Sequence, residues 1–149
     1  MKKISFILIL IFAAFYSQVN GQDNDDLKKL YSSFAAGDIV TSPTGHFDYG
    51  IISLSQEAYD IHVVGVIKPN LNFSNPRLMP NPIQMEGSVK VKCNSQNGVI
   101  KKGDLVTTSS TPGVAMKSTQ PGMILGIAME DGVDGLVNIR LMIQYANPK

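Results

Sequence analysis

Apolar residues follow two different periods along this chain, and the change falls at Gly37. Upstream of it, four of them recur at the spacing of one helix face: Leu27, Leu30, Tyr31 and Phe34. Asp25 or Asp26 is placed to cap the start of that helix, and Gly37 to end it. The pattern predicts a short helix over about 26–36, inside an N-terminal segment that covers 22–36.

After Gly37 the helical period disappears, and short runs rich in Val, Ile and Thr replace it. The predicted strands cover about 38–42, 50–54, 61–68, 88–93, 104–108, 114–117, 123–130 and 136–145. Between them lie turn sequences that contain Gly, Pro, Asn and Asp. Short strands at this spacing predict an all-β fold, a compact sandwich or barrel that forms a single domain over 37–149.

The predicted strands repeat. Four short segments match as two pairs: 37–45 with 103–113, and 63–67 with 124–128. The first pair is offset by 66 residues and the second by 61, which predicts two related β units over about 37–68 and 103–130. Gly65 and Gly126 occupy matching places inside strong strand runs, where glycine is typical of a bulge or of a close backbone approach.

The first residues have the pattern of an export signal. Lys2 and Lys3 precede Ile4–Tyr16, a run of 13 uncharged and mainly apolar residues, and small residues end at Gly21. A helix that spans a bilayer needs about 20 apolar residues, so this run is too short for one. We interpret 1–21 as a signal peptide and expect an exported protein, periplasmic, cell-surface or secreted, with no stable membrane insertion.

Charge excludes one class of partner. The whole chain has a formal net charge of +1, and loss of Lys2 and Lys3 leaves 11 basic against 12 acidic residues, a net charge of −1. A nearly neutral surface without a basic cluster argues against nucleic acid as a partner.

The chain has a single cysteine, Cys93, and therefore no internal disulfide. Val89, Val91 and Cys93 alternate with lysines, which places all three on one face of a strand. We predict a buried, unreactive thiol.

Candidate catalytic residues are few. His46 and His62 are the only histidines, and neither has the spacing of a zinc site. Asp60 and His62 share one face of a predicted strand, which could orient the imidazole as a base, although an exposed or structural histidine is the simpler interpretation. We interpret Asp38 and Asp104, each after a glycine, as turn-stabilising residues. We assign no catalytic residue, no metal site and no cofactor.

A segment rich in proline and asparagine interrupts the strands over 69–82. Prolines lack the N–H donors that a strand ladder uses, so we expect an ordered loop. Its large side chains are candidate binding or interface residues: Phe73, Arg77, Leu78 and Met79. Two interpretations remain open, a loop that folds back over the core and a subunit contact.

Five segments of the chain together resemble one known module. In chain order they are 58–67, 87–92, 97–109, 112–117 and 124–130. The module is the β-rich C-terminal domain of phage tailspike and tail-fibre proteins and of bacterial secreted tail-fibre-like proteins, the intramolecular-chaperone autoproteolytic domain family. The resemblance implies an all-β homotrimer and, in some members, self-cleavage by Asp and Ser residues. No position here matches those catalytic residues, so none is assigned.

The C-terminal run Leu136 to Tyr145 has large apolar side chains at both odd and even positions, and therefore on both faces of a strand. We expect one face of that strand to contact the core and the other a partner. The resemblance implies that this partner is another copy of the chain in a homotrimer. The sequence therefore favours an exported, non-enzymatic structural module that self-associates. The alternatives are a self-processing tailspike-type domain and a small-ligand or glycan-binding module that uses the 69–82 loop, with its protein or glycan partner unidentified.

Overall fold

The computed structural model describes residues 29, 32–43, 52–69 and 82–148. The chain divides into two compact units, Met1–Ser33 and Phe34–Lys149. In the first unit Lys29 and Ser32 are helical, and the Ser32 hydroxyl donates a hydrogen bond to the Lys29 carbonyl at 2.7 Å. The predicted helix does not continue to residue 36, because 34–36 have left the helical conformation. The predicted signal peptide lies outside the described residues.

The second unit is all-β, as predicted. Its nine described strands are β1 Ile39–Thr41, β2 Ser53–Leu54, β3 Val63–Ile67, β4 Ile83–Gln84, β5 Glu86–Lys92, β6 Leu105–Thr108, β7 Ala115–Lys117, β8 Gly122–Ala128 and β9 Leu136–Ala146. They form two antiparallel sheets that pack together as a sandwich. The first sheet has the order β2-β1-β3-β4, and the second has the order β5-β9-β8-β6-β7.

The core lies between the sheets. In the first sheet β1 and β3 are buried at every position, whereas in the second sheet β5 buries one face. In β5 the side chains alternate between a buried and an exposed face. Val89 and Val91 are buried, whereas the neighbouring Ser88 and Lys90 are exposed. The main cluster draws on both sheets and on one loop residue: Ile39, Val63, Val66, Val89, Val91, Ile100, Val106, Ala115, Leu125, Ala128, Val137, Ile139 and Leu141. Burial of such side chains contributes about 1.5–3 kcal/mol each.

The two sheets share a strand order. β2-β1-β3-β4 in the first corresponds to β7-β6-β8-β9 in the second, which then adds β5 beyond β9. Equivalent hydrogen bonds join the edge strands to the central ones. The Ser55 N–H donates to the Ile39 carbonyl at 2.9 Å, and the Ser118 N–H donates to the Leu105 carbonyl at 2.8 Å. The correspondence extends to individual backbone groups.

Gly65 and Gly126 allow the same close approach in the two sheets. A Cβ atom on Gly65 would clash with the carbonyl oxygen of Gln84, and one on Gly126 would clash with the carbonyl oxygen of Arg140. The strand register is also irregular in both sheets, between Val40 and Thr41 in the first and before Gly126 in the second. The predicted close approach at these glycines is confirmed.

The structure corrects several predicted boundaries and one argument. β4 is a strand that the sequence pattern did not indicate, and β3 begins at Val63 rather than residue 61. β9 lies inside the second sheet between β5 and β8, so it is not an edge strand. Its non-core face is mixed, since exposed Arg140 and Gln144 lie on it with Leu136. Half-buried Met142 also lies on that face, so the strand has large apolar side chains on both faces, and contact of the second face with a partner stays a prediction.

Candidate functional site

The predicted interface residues Phe73, Arg77, Leu78 and Met79 lie outside the described residues, as does His46. The other candidates, Asp60 and His62, belong to a polar cleft at one end of the first sheet. Nine described residues line this cleft, which has a volume of about 270 Å³: Thr41, Ser42, Pro43, Ser53, Leu54, Gln56, Glu57, Asp60 and His62.

A turn, rather than the predicted strand, positions Asp60 and His62. The Asp60 carboxylate accepts a hydrogen bond from the backbone N–H of His62 at 2.8 Å, which is the geometry of an Asx turn. The His62 carbonyl accepts from the Ser42 N–H at 3.0 Å, and the Asp60 N–H donates to the Thr108 hydroxyl at 2.8 Å. The turn is thus fixed to both sheets, and the expectation of a shared strand face was wrong.

Two hydroxyl groups form the floor of the cleft. Thr41 lies opposite Ser53 in the strand pairing of β1 with β2, and their hydroxyl oxygens are 3.4 Å apart. That separation is long for an O–H···O hydrogen bond, which is usually 2.5–3.0 Å. Both hydroxyls therefore retain capacity for stronger partners.

The second sheet fills the corresponding positions with methionine. Thr107 lies opposite Met116 in the pairing of β6 with β7, just as Thr41 lies opposite Ser53. Met116 is 1% exposed, whereas Ser53 is exposed. The cleft therefore exists where the first sheet has a small polar residue in place of a buried thioether.

His62 shows the same contrast. By the offset of 61 it corresponds to Met123, which packs against the core cluster. The Met123 carbonyl accepts a hydrogen bond from the Thr107 hydroxyl at 2.6 Å, and the His62 carbonyl accepts one from the Ser42 N–H. His62 is exposed on the cleft. Sequence reasoning considered His62 but missed Ser53. The predicted offset of 61 relates His62 to Met123, but neither predicted offset relates Ser53 to Met116, and only the strand pairing shows that correspondence.

Tyr59, next to the cleft, has an unusual hydroxyl environment. Its φ is +59°, a left-handed conformation that is uncommon outside glycine. The phenol oxygen accepts hydrogen bonds from the N–H groups of Thr119 at 2.9 Å and Gln120 at 3.3 Å. Burial raises the pKa of this phenol, but the hydrogen bonds from Thr119, Ser118 and Gln120 outweigh it, so the Tyr59 pKa lies below its ordinary value. The side chain connects the turn of the first sheet to that of the second.

Asp38 and Asp104 stabilise matching turns, as the sequence indicated. Asp38 accepts from the Ala35 N–H at 2.7 Å, and Asp104 accepts from the Lys101 N–H at 2.8 Å. Each carboxylate also pairs with a lysine: Asp38 with Lys92 at 2.6 Å and Asp104 with Lys117 at 2.9 Å. These contacts account for both aspartates as structural residues.

Cys93 is half-buried rather than fully buried. It packs against the core cluster and lines a shallow pocket of about 340 Å³ with Val99 and Ile100. Burial raises the pKa of the thiol, which lowers the fraction of reactive thiolate at neutral pH.

Within the described ranges, no three His, Cys, Asp or Glu side chains are grouped so that they could hold a metal ion. Among those same residues, no helix has the length and apolar character needed to cross a bilayer. No family model, curated protein or solved structure shows significant similarity to this chain.

Proposed function

We propose that this protein is an exported, non-enzymatic structural module that associates with copies of itself in an extracellular or envelope structure. The observation that supports self-association is a set of exposed apolar side chains on and beside the outer face of the second sheet: Met129, Val133 and Leu136, here called the outer patch. Exposed apolar side chains grouped in this way are typical of protein interfaces.

The outer patch is held in a defined shape. Met129 is 46% exposed, Val133 63% and Leu136 40%. Val133 and Leu136 are joined by a reciprocal pair of backbone hydrogen bonds at 2.9 and 3.0 Å, and the Met129 N–H donates to the Asn138 carbonyl at 2.8 Å. Val133 and Leu136 line a groove of about 480 Å³. Lys90, Glu130, Asp131 and Asp134 also line this groove, so its lining is charged as well as apolar. A preformed groove loses little conformational freedom when a partner covers it.

Charges of both signs surround the outer patch. Lys90 and Arg140 lie on the adjacent strands β5 and β9, and Glu130 and Asp134 lie on the turn that leads into β9. A second copy would offer acidic groups to the first copy's basic groups, and the reverse. This self-complementarity favours a partner with the same surface, a copy of this chain.

Light scattering at micromolar concentration tests the proposal. We expect the wild-type protein to be an oligomer: a dimer if two outer patches contact each other directly, or a trimer as the family resemblance implies. We expect the variant Val133→Ser/Leu136→Ser to be largely monomeric. Ile61→Ser is the matched control, because Ile61 is also exposed, at 69%, but lies on the turn beside the polar cleft. A monomeric wild type would overturn self-association, and an oligomer unaffected by the patch variant would place the interface elsewhere, with the loop residues Phe73, Arg77, Leu78 and Met79 as the next candidates.

Mass spectrometry separates assembly from self-processing. We expect a single species that begins at Gln22 and extends to the end of the chain. Internal fragments that accumulate in purified protein, without added protease, would favour the self-cleaving activity of the resembling family. A mature chain that keeps residues 1–21 would contradict cleavage of the signal peptide.

A further inference from the structure

We infer that the cleft beside Ser53 and His62 binds a small hydroxylated molecule that carries a positive charge, the chemistry of an amino sugar. This activity is additional to self-association. The cleft lies on the first sheet, whereas the outer patch belongs to the second.

The charged residues that line the cleft determine the sign of the charge on its ligand. Among the described residues that line the cleft, the charged ones are Glu57 and Asp60, and none is a lysine or an arginine. One oxygen of Asp60 accepts the His62 N–H, which fixes the carboxylate at the wall of the cleft. An ammonium group would donate charge-assisted hydrogen bonds to these carboxylates, whereas an anion would be repelled.

The remaining lining residues suit hydroxyl groups. Thr41 and Ser53 present hydroxyls that interact only weakly with each other, at 3.4 Å. His62 adds an imidazole, and Leu54 and Pro43 add apolar surface for ring carbons. A volume of about 270 Å³ is slightly smaller than that of most small-molecule pockets, which begin at about 300 Å³. The ligand is therefore about the size of one sugar ring.

The second sheet shows that this fold does not require the cleft. At the corresponding positions Met116 is 1% exposed and Met123 packs against the core. Ser53 and His62 give up that apolar packing and provide an opening lined by polar groups. Departures from good packing are expected where a protein binds something.

Titration of the ¹⁵N-labelled protein, followed by NMR, tests the inference with three ring-matched probes near neutral pH. Glucosamine carries a charged amine, glucose is neutral and glucuronate is an anion. We expect glucosamine at millimolar concentration to shift the amide signals of 41–42 and 53–62, with glucose about tenfold weaker. Glucuronate should cause no shift there. Equal binding of glucuronate, shifts confined to other residues, or no shift with glucosamine would each overturn the inference.

Two variants locate the site. Ser53→Met/His62→Met installs the residues of the second sheet and should abolish the glucosamine shifts while the protein stays folded. Glu57→Gln keeps the volume of the side chain and should weaken glucosamine about two- to fivefold with no change for glucose. Glu130→Gln, on the turn beside the outer patch, is the control and should change neither affinity. Full glucosamine affinity in Glu57→Gln, or in the folded double variant, would contradict the inference.

Discussion

The two sheets of this protein share a strand order, a turn and a close glycine contact, yet they differ in what they expose. In the second sheet, Met116 and Met123 fill the end of the sandwich. In the first, Ser53 and His62 occupy those positions and a cleft opens. The second sheet has in turn a fifth strand and the outer patch. Features common to both sheets therefore account for the fold, and the differences identify the surfaces available for function.

The largest effect is expected where the sheets agree most closely. Gly126→Ala places a Cβ against the Arg140 carbonyl, and Gly65→Ala places one against the Gln84 carbonyl. We expect each to reduce the free energy of unfolding by more than about 4 kcal/mol, because both obstacles are backbone atoms that cannot move aside cheaply. Chemical denaturation measures this.

Gly98→Ala is the control for both variants. No atom lies within 4 Å of a Cβ at Gly98, but its φ is +95°, so the expected loss is only about 1 kcal/mol. If Gly65→Ala were as mild as Gly98→Ala while Gly126→Ala unfolded the protein, the equivalence of the two sheets would fail.

Local patterns made these shared features predictable. Gly65 and Gly126 interrupt apolar runs, and Asp38 and Asp104 each follow a glycine at the start of a strand. The close backbone contact and the turn could therefore each be predicted from a few neighbouring residues. β4 was not predicted, because its two residues follow directly on the proline-rich segment 69–82 and belong to no longer run of apolar residues. The cleft could not be predicted, because it depends on tertiary structure. In the sequence Ser53 resembles any surface serine, and only the strand pairing places it opposite Thr41.

The next largest change in stability is expected at Met116, which occupies the position in the second sheet that Ser53 occupies in the first. Met116→Ser should lower the free energy of unfolding by about 2–4 kcal/mol, because it removes a fully buried side chain and leaves a cavity. Ser53→Met, at the corresponding exposed position, should change it by less than about 0.5 kcal/mol. Thermal and denaturant unfolding give both values. Equal losses at the two positions would show that Ser53 is packed as tightly as Met116.

A smaller effect is expected at the ion pairs. Lys92→Met removes the cation from Asp38, whose side chain is 7% exposed, and should cost about 1–2 kcal/mol because the carboxylate keeps only part of its hydrogen bonding. Lys101→Met breaks a pair with Asp131 in which both side chains are at least half exposed, and its effect should be undetectable. A larger loss for Lys101→Met would reverse the assignment of Asp38 as the structural carboxylate.

The smallest effect concerns Tyr59, which connects the two sheets. Tyr59→Phe leaves the Thr119 and Gln120 N–H groups to water and should cost about 0.5–1 kcal/mol. Because the folded-state pKa of Tyr59 is lowered, ionisation stabilises the fold at pH values above the unfolded pKa, and that contribution is lost as pH falls through the folded pKa. An ultraviolet pH titration should show a tyrosine ionisation below the ordinary tyrosine pKa, and Tyr59→Phe should remove that step. An unchanged titration in the variant would contradict the lowered pKa.

Amide hydrogen exchange at two protein concentrations compares the two surfaces most directly. If copies associate through the outer patch, exchange over 129–138 should slow as the concentration rises into the range where light scattering detects oligomers. Exchange over 53–62, around the cleft, should stay the same. Concentration-independent exchange at 129–138, or protection that develops at 53–62 instead, would contradict the proposal that the second sheet assembles while the first keeps its cleft open.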